Sequence, residues 1–176
     1  MKSKIMPAVV LAIICAVSAL LIVFFYELTK ENIAEQRELR FSRSVEAIFG
    51  KTEITLIDNN FGESSVVSIA VTSDGNTAIQ IQADGYEKDG INVLIGIDEK
   101  GCICGIEFVS LAETPGLGTK IRDNEDFRKQ FYGAYSPENS ADTISGATFS
   151  SKGMKKAVDT ALKVYNENKE EILHGK

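Results

Sequence analysis

Two short runs hold residues whose types and spacing can do chemistry. Asp142-Thr143-Ile144-Ser145-Gly146-Ala147-Thr148-Phe149-Ser150 is a loop of small and hydroxyl residues running into a helical pattern. The first N–H groups of a helix lack intrahelical partners and sit at the positive end of its dipole. Ser145, Gly146, Ala147 and Thr148 stand just before the expected cap, Ser150 or Ser151, so the loop is receptive to an anion such as a phosphate. The hydroxyls of Ser145, Thr148 and Ser150 can add hydrogen bonds to it. The same residues also suit a plain capping loop whose small side chains serve packing. The run itself names neither the anion nor the manner of its attachment.

The second run is Glu113-Thr114-Pro115-Gly116-Leu117-Gly118. Pro followed by Gly at the centre of a turn is the type II pattern, because the third position needs positive φ. Such a turn presents backbone with little side-chain bulk, and Leu117 becomes an apolar contact between two glycines, suited to a flat ring. The plainer alternative is a tight turn that ends a strand. A hydrolytic centre is disfavoured: the only histidine is His174, near the end of the sequence, and nothing places the carboxylates of Glu113 and Asp142 across a substrate. No Walker loop and no Rossmann glycine pattern occurs. The cysteines show no metal-ligand spacing; Cys102 and Cys104 share one side of a strand and read as two buried thiols.

Elements must position these loops. Thr29–Phe49 reads as a helix with apolar Ile33, Leu39, Phe41, Val45, Ile48 and Phe49, stopped by Gly50. Strands are expected at 54–57, 66–71 and 79–83, the last a half-buried alternation with Gln80 and Gln82. Turns fall at Asp58-Asn59-Asn60 and Asp74-Gly75-Asn76. A hairpin pairs 91–97 with 102–109 through Asp98-Glu99-Lys100-Gly101, and Gly105 either weakens its second strand or admits a close neighbour. A short helix covers 123–131, turn residues fill 132–140, and Met154, Ala157, Val158, Ala161, Leu162, Val164 and Tyr165 mark an amphipathic helix to about Asn168. The sum is an α+β domain with a mainly antiparallel sheet and helices packed on it.

The formal net charge of -6, without a basic patch, argues against nucleic-acid binding. Residues 5–25 contain no charge, and as a helix this segment spans roughly 30 Å, the thickness of a bilayer core. Pro7 lies in its first turn and Tyr26 at its interfacial end. Lys2 and Lys4 fit a signal-peptide start, but Phe24-Phe25-Tyr26-Glu27 offers no small-residue cleavage site, so an uncleaved, single-pass anchor through the lipid bilayer is expected. The flanking Lys and Arg residues do not fix its orientation. The division expected is a tail and transmembrane helix over 1–26, a connecting helix over 27–50 and a soluble domain over 51–176.

The Asp142–Ser150 run resembles the flavinylation motif of the FMN-binding domain family, Asp-x-x-Ser/Thr-Gly-Ala-Thr-x-Ser/Thr. The Glu113–Gly118 run resembles a second hallmark, shared by G subunits of Rnf electron-transport complexes and C subunits of sodium-pumping NADH:quinone reductases. The anchor followed by Glu27-Leu28-Thr29-Lys30-Glu31-Asn32-Ile33-Ala34 is similar to the start of Rnf G subunits, and the short chain favours that group over the longer C subunits. This resemblance implies FMN joined through its phosphate to the Thr148 hydroxyl. It implies a flavin transferase that recognises Asp142, Ser145, Gly146, Ala147, Thr148 and Ser150 and uses FAD as donor. It implies that Glu113 to Gly118 help hold the cofactor, and that Gly146 lets backbone approach it. The domain would lie outside the cytoplasmic membrane and pass electrons among the subunits of a complex that couples ferredoxin:NAD oxidoreduction to Na⁺ or H⁺ translocation. The contrasting expectation is an anchored structural or regulatory domain that carries no flavin.

Overall fold

The computed structural model describes residues 2–58, 61–137 and 141–174. Parts of two expected turns, Asn59-Asn60 and Glu138-Asn139-Ser140, lie outside the described residues. Helix α1 runs Lys2–Phe49, and the chain divides into two compact units, Met1–Arg40 and Phe41–Lys176.

In the first unit, Met6–Lys30 is the one helical segment among the described residues long and apolar enough to cross a membrane. Its apolar side chains are exposed, as an element solvated by lipid requires. It is the membrane-anchoring helix of the chain.

The second unit is an α+β domain built on an antiparallel meander of five strands in the order β1-β2-β3-β4-β5. The strands are β1 (Ile54–Ile57), β2 (Val66–Thr72), β3 (Thr77–Ala83), β4 (Ile91–Ile97) and β5 (Ile103–Leu111). The expected hairpin is present: Asp98 N–H donates to the Cys102 carbonyl (2.9 Å), and Asp98 Oδ1 accepts from the N–H groups of Lys100 and Cys102 (2.9 and 2.8 Å). Helix α4 (Thr148–His174) covers one face of the sheet. Its residues Met154, Ala157, Val158, Ala161, Leu162, Val164 and Tyr165 are all buried, joining Ile69, Ile79, Ile81, Val93, Ile95 and Ile97 in the main core. Phe127 and Phe131 meet edge to face in the same core, with ring centroids 5.3 Å apart.

The other face takes the last turns of α1. Phe41 and Val45 pack with Ala70, Ala78 and Leu94, and Ile48 and Phe49 join them. This cover explains a departure from the sequence pattern. β3 is buried on both faces, not half-buried, and Gln80 is enclosed, donating to Asn92 Oδ1 (2.8 Å) while Asn92 donates to Gln82 Oε1 (3.1 Å). The close neighbour that Gly105 admits is Ile48. A Cβ on Gly105 would lie 2.4 Å from Ile48 Cγ2, and one on its cross-strand partner Gly96 would lie 2.7 Å from the same atom.

Three local expectations need correction. The helix over 123–131 is two pieces, α2 (Lys120–Asp123) and α3 (Glu125–Lys129), because Asn124 turns extended and caps the second, its Oδ1 accepting from Phe127 N–H (3.1 Å). The amphipathic helix does not stop near Asn168; it kinks there, where Asn168 leaves helical geometry, and continues to His174. Cys104 is exposed and Cys102 half-buried, so they are not a pair of core thiols; Cys102 lies at the hairpin turn and Cys104 on the edge strand β5. Partial desolvation, aided by the Asp98 carboxylate, still pushes the Cys104 thiol up to about 11.

Candidate cofactor site

Both chemistry-bearing runs fold as turns with the same hydrogen bond. In the first, Leu117 N–H donates to the Thr114 carbonyl (3.1 Å) with Gly116 at φ 75°. In the second, Ala147 N–H donates to the Ile144 carbonyl (2.9 Å) with Gly146 at φ 78°. Each turn needs glycine at its third position for the same reason: a side chain there is strained at positive φ. The two turns face each other. A Cβ on Gly146 would lie 3.8 Å from Leu117 Cδ2.

The 141–147 loop is tied down before it reaches the helix. Asp142 N–H donates to Gln130 Oε1 (2.8 Å), Ile144 N–H to Ser151 Oγ (3.1 Å), and Lys155 Nζ to the Ala141 carbonyl (2.7 Å). Helix α4 then starts at Thr148, so its cap falls three or four residues earlier than the expected Ser150 or Ser151. Ser151 N–H donates to the Ala147 carbonyl (2.8 Å), so Ala147 occupies the capping position. Ser150 and Ser151 belong to the first turn and spend their hydroxyls sideways, Ser151 on Ile144 and Ser150 on Glu113. Having no capping side chain, the helix start leaves the N–H groups of Thr148, Phe149 and Ser150 without an acceptor among the described residues. Thr148 itself is exposed.

Between the turns lies a cavity of about 310 Å³ lined by Tyr86, Thr114, Leu117, Gly118, Gly146, Ala147, Thr148, Phe149 and Ser150. That size falls at the lower end of small-molecule and cofactor sites. Its rim is apolar and open: Tyr86, Phe149 and Leu117 are 69%, 68% and 49% exposed. Of the residues expected at the site, Thr114, Leu117, Gly118, Gly146, Ala147, Thr148 and Ser150 line this cavity. Glu113, Pro115, Gly116, Asp142 and Ser145 do not. Gly116 N–H is taken by Thr119 Oγ1 (2.9 Å), so this turn amide is not free for a ligand. Asp142 and Ser145 are exposed on the loop, and Glu113 is buried beneath the site. Tyr86 is the lining residue that the motifs missed; its signal was an aromatic in a turn between Gly85 and Gly90.

Comparison with known proteins fits this geometry. A model of the FMN-binding domain matches residues 85–163, from the Tyr86 turn through most of α4. A model of the RnfG N-terminal region matches residues 1–48. The chain belongs to the family of Rnf complex G subunits. Among its relatives is the G subunit of the ion-translocating oxidoreductase complex of Aliivibrio fischeri strain MJ11, 25% identical over 94% of this chain and 92% of the relative. The same-named subunit of Shewanella piezotolerans is 28% identical over 98% of this chain and 94% of the relative. That of Vibrio parahaemolyticus is 34% identical over a shorter match, 60% of this chain and 57% of the relative. As a member of the RnfG family, the chain combines a membrane-anchoring helix with an FMN-binding domain.

The site has the donors FMN needs. Open N–H groups at a helix start suit its phosphate, a free hydroxyl suits a phosphoester, and apolar side chains suit its ring.

Proposed function

We propose that this RnfG chain carries FMN covalently on Thr148 and passes electrons within an Rnf-type complex that couples ferredoxin:NAD oxidoreduction to Na⁺ or H⁺ translocation. The observation that carries the reading is the placement of Thr148: an exposed hydroxyl at an uncapped helix start, on the wall of an apolar-rimmed cavity. A flavin transferase would install the group. The Thr148 oxygen bonds to phosphorus, the phosphoanhydride of FAD breaks, AMP leaves, and the hydroxyl proton passes to solvent. Asp142, exposed on the loop, is available to such a transferase.

Once bound, FMN supplies one- and two-electron redox chemistry. The chain's own residues hold and orient it. The N–H groups of Thr148, Phe149 and Ser150 would meet the phosphoester charge, which the α4 dipole would favour. Leu117 and Thr114, which line the cavity from the opposite turn, would lie against the flavin ring. A covalent link keeps the cofactor in place outside the cytoplasmic membrane, with the basic Lys2-Ser3-Lys4 tail inside. The uncharged 5–25 span is no ion path by itself, so ions would cross through other subunits.

Intact mass of the chain co-expressed with a flavin transferase tests the attachment. The expected gain is FMN less one water on the native chain and no gain on Thr148→Ala. An adduct that survives Thr148→Ala, or none on the native chain when a known acceptor is labelled, would falsify the assignment.

A further inference from the structure

We infer that Tyr86 is the aromatic that contacts the flavin ring and that Glu113 is the positioning residue that holds it there; this rests on the FMN reading above. Glu113 opens a motif but does not line the cavity. It is only 6% exposed, and its carboxylate points into the protein. Oε1 accepts the N–H groups of Tyr86 (3.0 Å) and Glu87 (3.3 Å), and Oε2 accepts the Ser150 hydroxyl (2.5 Å). One side chain thus joins the residues after β5, the 84–90 turn and the first turn of α4.

The slot around that carboxylate is walled by glycine. A Cβ on Gly85 would lie 2.1 Å from Oε1, one on Gly90 2.8 Å from it, and one on Gly118 2.4 Å from Oε2. Burying a carboxylate is costly unless hydrogen bonds replace its water. Here two backbone donors and a hydroxyl do so, without a basic partner among the described ion pairs. An apolar residue would fill the slot at lower cost but could not grip the Tyr86 amide.

That grip has a consequence at the rim. Tyr86 belongs to neither hydrophobic core, yet it lines the cavity and meets Phe149 edge to face, with centroids 6.3 Å apart and planes at 72°. Much of its ring surface is open, at 69% exposure, beside the residue that would carry the cofactor. Of the apolar rim, Tyr86 alone has a phenol. A phenol in contact with light-excited flavin donates an electron to it and takes the electron back, so emission is lost with no net reaction. Phenylalanine and leucine do not.

The test uses the full flavinylated chain in detergent, with intact mass reporting attachment and flavin emission reporting ring contact. Native protein should be strongly quenched. Tyr86→Phe should emit several-fold more at equal adduct, and Tyr86→Trp should stay quenched. Glu113→Asp, which withdraws the carboxylate by one methylene, should brighten as Tyr86→Phe does. Glu113→Gln, whose amide oxygen still accepts from Tyr86, should stay within about twofold of native. Equal emission from native and Tyr86→Phe overturns the inference and leaves the FMN reading intact. So does loss of the adduct in Tyr86→Phe, because the phenol hydroxyl would then serve the attachment instead of ring contact. Unchanged quenching in Glu113→Asp removes the role of Glu113. No adduct on the native chain ends both readings.

Discussion

The Ser150 hydroxyl does two things at one point. It keeps the first turn of α4 against Glu113, and it supplies the shortest hydrogen bond to a buried carboxylate (2.5 Å). Ser150→Ala leaves Oε2 with only the longer contact from Tyr86 N–H (3.3 Å). Leaving a buried acceptor short of a donor costs about 1–3 kcal/mol. Urea unfolding should show a loss of that size, and an unchanged midpoint with an unchanged slope would mean that water replaces the hydroxyl freely. Glu113 also shows how a residue type misleads. A carboxylate beside a cofactor motif suggests a ligand, whereas here it works inward, on the backbone of a neighbouring turn.

At the scale of elements, the decisive contact is the end of α1 on the β4–β5 ladder. Gly96 and Gly105 stand opposite each other and leave room for Ile48. Gly105→Ala should lower stability by about 1–3 kcal/mol, as overpacking of a filled core does. Ile48→Ala removes the obstructing Cγ2 and should recover part of that loss in the double variant, a coupling that a double-mutant cycle measures. Strictly additive effects would show that the helix does not seat there. The matched turns at 114–117 and 144–147 are the second lesson at this scale. Each is local, but only the packing of α4 brings Gly146 opposite Leu117.

For the whole molecule, the boundary between anchor and domain has a physical test. The compact unit starts at Phe41. A chain of residues 41–176 should be soluble and unfold cooperatively, because it keeps Phe41, Val45, Ile48 and Phe49 over Ala70, Ala78 and Leu94. A chain of residues 51–176 uncovers that apolar face and should aggregate or bind a hydrophobic dye. If the shorter chain behaves as well as the longer, the last turns of α1 serve only as a connector.

The sequence by itself determined the uncharged anchor, the antiparallel α+β class, all five strands to within two residues, the buried stripe of α4 and the two motif loops. Those signals are local: hydropathy, periods of two and 3.6, and turn residues act over a few positions. Tertiary structure alone decided the rest. The double burial of β3 depends on a helix end more than 25 residues away in sequence. The early start of α4 depends on Ser150 and Ser151 spending their hydroxyls on Glu113 and Ile144 instead of on a cap. Tyr86 reaches the cavity because a carboxylate 27 positions on holds its amide. Contacts between distant residues leave no period or spacing in the chain, so only the folded molecule displays them.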